Sequence, residues 1–380
     1  MLALRLARGS GPVALLRRLL VAAASAGTGL LLLCALGYAV GHSPRPSGAG
    51  LRLLWCLVPL AAAVRFATAV ARTDPGTRPS RGATAAGLGP AGRAALSAVS
   101  TALFCVLGSG VALLVFFHLR DGIGRLPFGG TAPRMLGAGS RLPLPAALVL
   151  LAPVPLAAAA GSAWAVRERR PAHDRAAPRG LVLALALVAV GAAAELYAAG
   201  RPGGAALPVP GRFDGAPAGV LAGWSLTALG LAVAGPALTH LCGRVLQSVR
   251  PGAVRLLAGR VLQSEARRIG RPLGVCCAVV SGLVAACALR GAGHPPAHPL
   301  FGALTSLGAA LVVVCSAATL LTAAVEARQE RAATTAALLR GCAPASLPRS
   351  AALLRTAALV ALFTAVTWAV SALAAVPLSR

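Results

Sequence analysis

The residues that could carry out acid–base, nucleophilic or metal chemistry are few and scattered in this chain. His294 and His298 have the His-x-x-x-His spacing that puts two imidazoles on one face of a helix, but Pro295 and Pro296 lie between them and disfavour a helix. The chain has no Gly-x-Ser-x-Gly elbow, no Cys-x-x-Cys pair and no His-Glu-x-x-His motif. We therefore expect no catalytic residue, no metal site and no bound cofactor.

Nucleotide chemistry is also disfavoured, because all 36 basic residues are arginine. A chain without lysine has no Walker A lysine, and no lysine that could form a Schiff base or act as a general base. If ATP is involved, another subunit must bind it. The nine cysteines lie mostly inside apolar stretches, where cysteine packs as a small hydrophobic residue.

Glu195 is the one carboxylate inside a predicted apolar span, and an ionisable group within a membrane is a candidate functional residue. It lies about five residues, or roughly 7 Å, from the outer end of its span. Arg65 lies near the inner end of another span, so we expect no direct ion pair between them. Two interpretations stay open for Glu195: a functional carboxylate, or a side chain that reaches the outer interface.

The elements that must position these residues are membrane helices. Of 380 residues 57% are hydrophobic and 12% charged, with a mean hydropathy of +0.78, which is more apolar than a soluble domain. About 20 apolar residues cross a hydrocarbon core about 30 Å thick. Nine stretches qualify, at about 19–40, 51–71, 94–119, 142–166, 180–200, 217–241, 272–289, 300–324 and 351–376. The sequence therefore predicts an all-α, polytopic transmembrane helical bundle with about nine transmembrane helices.

The distribution of arginine predicts how this bundle is oriented. With the N-terminus inside, the cytoplasmic segments hold 24 arginines and the external segments ten, counting Arg52 at the outer edge of its span, as the positive-inside rule requires. A net charge of +27 would suggest nucleic-acid binding in a soluble protein, but here the charge follows the membrane topology. We expect a multi-pass protein of the cell membrane with a cytoplasmic N-terminus, in contact with the lipid bilayer and not with nucleic acid.

The chain resembles itself at an offset of 254 residues, which suggests an internal duplication. The matched positions are Gly87 with Gly341, Pro90 with Pro344, Ala91 with Ala345 and Arg17 with Arg271. Each copy also has the same order of parts: a basic entry, two helices joined by a short outer loop, a polar inner segment and a third helix. We predict a first repeat at 1–170 with helices 1–4, a two-helix connector at 171–250, and a second repeat at 251–380 with helices 7–9 that stops before its fourth helix.

The inner segment of the second repeat, residues 325–350, is predicted to form a short amphipathic helix along the cytoplasmic surface. Charged residues fill its first turns, and Gly341 and Pro344 end it. Such a helix could dock on a soluble partner or rest on lipid headgroups, and both interpretations stay open. The equivalent helix of the first repeat is predicted at about 81–86.

This segment resembles the cytoplasmic helix of the FtsX-like permeases of ABC transporters. In that family a helix rich in Glu and Arg is followed by a Leu-Arg-x-x-Gly turn, and Leu338, Leu339, Arg340 and Gly341 resemble this pattern in residue type, with Gly341 directly after Arg340. The resemblance implies a membrane subunit that pairs with a separate ABC ATPase subunit and couples ATP hydrolysis to export, lipid extraction or mechanical signalling, with a homo- or heterodimeric permease partner. The residues it assigns to the ATPase contact are Arg328, Glu330, Arg331, Leu338, Leu339, Arg340 and Gly341.

Two other classes of function remain. An ion-coupled secondary transporter would need buried carboxylates near the middle of the membrane, and the sequence offers only Glu195. A non-transporting scaffold or degenerate permease would fit the incomplete second repeat. A partner ATPase that co-purifies with the chain would favour the permease.

Overall fold

The computed structural model describes residues 12–41, 46–73, 89–120, 144–167, 177–199, 218–248, 252–291, 303–340 and 346–375, and these ranges are almost entirely helical. The helices are α1 (Pro12–Gly41), α2 (Pro46–Thr73), α3 (Pro90–Arg120), α4 (Leu144–Leu151), α5 (Pro153–Arg167), α6 (Ala177–Ala199), α7 (Ala218–Ser248), α8 (Ala253–Gly291), α9 (Ala303–Arg340) and α10 (Ser346–Ala375).

Eight spans in the described ranges are long and apolar enough to cross a membrane, if α4 and α5 are counted as one. The predicted all-helical, multi-pass membrane architecture is confirmed at this level. The predicted span at 272–289 falls within α8, but the structure describes the side chains of α8 only as far as Val284, and α8 is not among the eight.

The predicted span at 142–166 is found at Leu144–Arg167, and within it the structure interrupts the helix at Ala152, between α4 and α5. Pro153 has no backbone N–H to donate and occupies the first position of α5. The break stays bridged by hydrogen bonds: the Ala152 N–H donates to Leu148 O at 3.0 Å and the Leu156 N–H donates to Ala152 O at 3.2 Å.

The predicted short surface helix within 325–350 is also different in the structure, because it is the continuation of a membrane helix. α9 runs unbroken for 38 residues, about 57 Å at 1.5 Å per residue, and so exceeds a core about 30 Å thick. No proline interrupts it, and its second half is rich in alanine and leucine, which favour helix. It ends at Arg340, next to Gly341 as predicted.

The described helices form two compact units. Unit 1 contains α1 to α5 and the first part of α9 as far as Thr319, and unit 2 contains α6, α7, α8, α10 and the rest of α9. The division of the chain into two repeats and a connector remains a prediction.

Unit 1 is held together by small and hydroxyl side chains at helix contacts. Val21 and Ala24 of α1 pack with Phe66 of α2 and Cys105 of α3 in a buried cluster. Ser25 Oγ lies 2.8 Å from Ala22 O on its own helix and 3.3 Å from Cys105 O on α3. Because lipid is as apolar as these helices, close packing and hydrogen bonds across helices must replace the hydrophobic effect here.

Unit 2 is built around a hairpin of α7 and α8 in which the two backbones touch. We call this contact the glycine seam. Its members are Gly235 and Gly243 of α7 and Gly259, Gly270 and Gly274 of α8. A Cβ added to Gly270 would lie 2.6 Å from Pro236 Cα, and one added to Gly259 would lie 2.6 Å from Gly243 O, so no side chain fits at either position. Leu231, Cys277 and Phe363 extend the packing to α10.

Candidate functional site

Four charged residues join α8 and α9 within unit 2, and we call them the charged cluster: Glu265, Arg268, Glu326 and Arg331. Arg331 Nε lies 2.9 Å from Glu265 Oε1 in a salt bridge, and its N–H donates to Ala327 O at 2.8 Å. Arg268 Nη2 lies 3.7 Å from Glu326 Oε1. Glu265 precedes Arg268 on α8, whereas the partner of Glu265 follows the partner of Arg268 on α9. This reversed order is expected for two antiparallel helices.

The side chains of the charged cluster are partly buried, unlike those of a fully exposed surface ion pair. The side chains of Glu265 and Glu326 are each 15% exposed, and Arg331 is 28% exposed. Arg355 of α10 lies within electrostatic range of both Arg331 and Glu265. Since partly buried charges are screened less than exposed ones, these pairs contribute more to the contact of α9 with α8 than exposed ion pairs would.

The structure places the predicted partner-contact residues in different surroundings. Arg328 is exposed, and Arg340 is exposed with its Nε–H donating to Ala336 O at 3.3 Å. Arg331 is engaged within the charged cluster. Glu330, Leu338 and Leu339 lie in the helical backbone of α9, but their side chains are outside the described residues, as is Gly341 altogether.

Sequence reasoning missed Glu265, Arg268 and Glu326. The chain has only nine acidic residues, and three of them, Glu265, Glu326 and Glu330, lie inside segments that are otherwise rich in arginine, 255–271 and 325–350. An acidic residue within an arginine-rich segment could therefore have predicted an ion pair. The sequence does not show which arginine is its partner.

Glu195, the predicted intramembrane candidate, is buried between α6 and α7, with only 3% of the residue exposed. Its Oε1 lies 3.2 Å from the Thr227 hydroxyl, and that hydroxyl also lies 3.0 Å from Gly223 O. The side chain therefore packs against a neighbouring helix, which disfavours the interpretation that it merely reaches the membrane interface.

Other candidate sites are small or fall outside the described residues. A cavity of about 20 Å³ lies between α1, α2 and α3 beside Arg18, whose guanidinium stacks on Phe104 at 5.8 Å, and it has room for about one water molecule. In the described ranges no group of three or more His, Cys, Asp and Glu residues could hold a metal ion. His294, His298 and the helix predicted at about 81–86 lie outside the described residues.

Comparison of the chain with protein-family models, with curated proteins and with solved structures finds no match. The likeness to FtsX-like permeases therefore rests on the sequence pattern at 325–341 and on the order of parts.

Proposed function

We propose that this chain is the membrane-spanning permease subunit of an ABC-type transporter, and that the end of α9 contacts a separate ATPase subunit. The observation that supports this most directly is the continuity of α9 from an apolar span to Arg340. A helix that crosses the membrane and extends beyond it without a break can carry a displacement at its end into the membrane.

The charged cluster supports the same proposal. Because Arg331 pairs with Glu265 and Arg268 pairs with Glu326, a displacement of α9 would also move α8. Arg328 and Arg340 remain exposed on α9 and are available to an acidic surface of a partner. We place this end of the helices on the cytoplasmic side, where the arginine bias of the loops puts it.

The test is co-purification of the chain from its native membranes, with identification of the bound subunits by mass spectrometry and an ATPase assay. Charge reversal in the Arg328→Glu and Arg340→Glu double variant should reduce both the recovered ATPase subunit and its activity. Arg167→Glu at the end of α5 is the matched control, because Arg167 is also exposed and predicted cytoplasmic. Equal recovery from the double variant and the control would refute the contact.

An ion-coupled secondary transporter is the second candidate, and the burial of Glu195 beside Thr227 is the observation that favours it. If no ATPase subunit co-purifies, uptake into proteoliposomes driven by a proton gradient becomes the decisive assay. Loss of that uptake in Glu195→Gln would support this alternative, and a chain with neither activity would be a scaffold.

A further inference from the structure

We propose that Glu195 is a proton-binding site within the membrane, and that it holds its proton at neutral pH as an uncharged carboxylic acid. The proposal goes beyond the permease function and does not depend on it, because it concerns the contact between α6 and α7 within unit 2 and not the end of α9.

The first argument is the absence of a counter-charge. Among the three carboxylates whose side chains the structure describes, Glu265 and Glu326 each form a salt bridge with arginine, and Glu195 forms none. The other charged or titratable residues on the helices packed against Glu195 are Arg179 and Tyr197 of α6, His240, Cys242 and Arg244 of α7, and Arg349 and Arg355 of α10. A buried carboxylate without a cation loses its hydration, and the single hydroxyl of Thr227 replaces only part of it, so the neutral form is favoured.

The second argument is that Glu195 lies in a closely packed helix contact, with 3% of the residue exposed. A Cβ added to Gly223 would lie 2.6 Å from Glu195 Cγ and 2.7 Å from Gly191 O. The helices α6 and α7 therefore approach each other closely beside the Glu195 side chain. Such close packing and low exposure remove the carboxyl group from bulk water, which disfavours its charged form.

The third argument is the count of hydrogens. Thr227 Oγ1 has one hydrogen and two acceptors within reach, Glu195 Oε1 at 3.2 Å and Gly223 O at 3.0 Å. If Glu195 is protonated, its O–H donates to Thr227 Oγ1 and the Thr227 O–H donates to Gly223 O. Both contacts are then hydrogen bonds, whereas an ionised Glu195 would leave one of them without a hydrogen.

Infrared difference spectroscopy of the detergent-purified full chain at neutral pH tests the proposal. The wild-type minus Glu195→Gln spectrum should contain the C=O stretching band of a protonated carboxylic acid. The matched control is Glu326→Gln, which removes a salt-bridged carboxylate and should produce only carboxylate bands. Loss of carboxylate bands, and no acid band, in Glu195→Gln would overturn the proposal.

Thr227→Val provides a second test that leaves Glu195 in place, in case Glu195→Gln does not fold. Valine is close to threonine in size but cannot accept a hydrogen bond from the carboxylic acid. The acid C=O band should therefore persist and move to higher frequency in this variant. An acid band that is absent from both the wild type and Thr227→Val would overturn the proposal.

Discussion

The close approach of the α7 and α8 backbones in the glycine seam predicts that one added methyl group destabilises the protein. In Gly270→Ala the new Cβ would lie 2.6 Å from Pro236 Cα and 2.7 Å from Pro236 N. Carbon atoms in contact prefer about 3.5–4.0 Å, so α7 and α8 must separate locally by about 1 Å. Both obstructing atoms belong to the backbone and cannot move aside by a change of rotamer.

The magnitude follows from two opposing effects. Overpacking of a closely packed site costs about 1–3 kcal/mol, while alanine in place of glycine within a helix contributes about 1 kcal/mol of stability. Gly110→Ala on α3 isolates the second effect, because Gly110 is also inside a long helix and a Cβ there would meet nothing within 4 Å. The free energies of unfolding of the two variants should therefore differ by about 1–3 kcal/mol. Gly110→Ala should be at least as stable as the wild type.

Thermal unfolding of the detergent-purified chain measures this difference. Gly270→Ala should unfold at a lower temperature than both the wild type and Gly110→Ala. If Gly270→Ala is as stable as Gly110→Ala, the backbones of α7 and α8 do not touch at this point and the glycine seam is refuted.

Three further predictions concern other parts of the chain. Glu265→Ala and Arg331→Ala should show a coupling free energy of about 0.5–1 kcal/mol in a double-mutant cycle, because their ion pair is only partly exposed; additive effects would mean that the pair does not form in solution. Gly108→Ala should destabilise the chain by about 1–3 kcal/mol, because its Cβ would collide with Ser25 Oγ, and a variant of unchanged stability would argue against this contact of α1 with α3. A green fluorescent protein fused to the N-terminus should fluoresce in bacterial cells, and an alkaline phosphatase fused there should be inactive; the reverse result would invert the predicted orientation.

The membrane spans were predictable because hydropathy and length are local properties of the sequence. The break after Ala152 was also signalled, since Pro153 and Pro155 stand inside the predicted span, and a proline near the middle of a helix removes a hydrogen bond. The end of α9 before Gly341 followed from the same kind of local signal.

The contacts between helices were not predictable by these means. Glu265 and Arg331 lie far apart in the sequence, and their pairing depends on α8 and α9 both continuing as helices beyond their apolar parts. The burial of Glu195 on α6 likewise depends on which residue of α7, here Thr227, lies opposite it. Helical periodicity places a residue on one face of its own helix, but it does not say which residue of another helix faces it.

The glycine seam has a consequence for the entropy of assembly. Glycine has no side-chain rotamers to lose, so packing α7 on α8 through Gly235, Gly243, Gly259 and Gly270 fixes no side chain at those positions. In lipid, where no hydrophobic effect drives helices together, an interface that costs little side-chain entropy can form from close van der Waals contact alone. The four-residue connection between Ser248 and Ala253 keeps the two helices adjacent from the start. We therefore expect α7 and α8 to associate as a helical hairpin before the longer connections of the chain close.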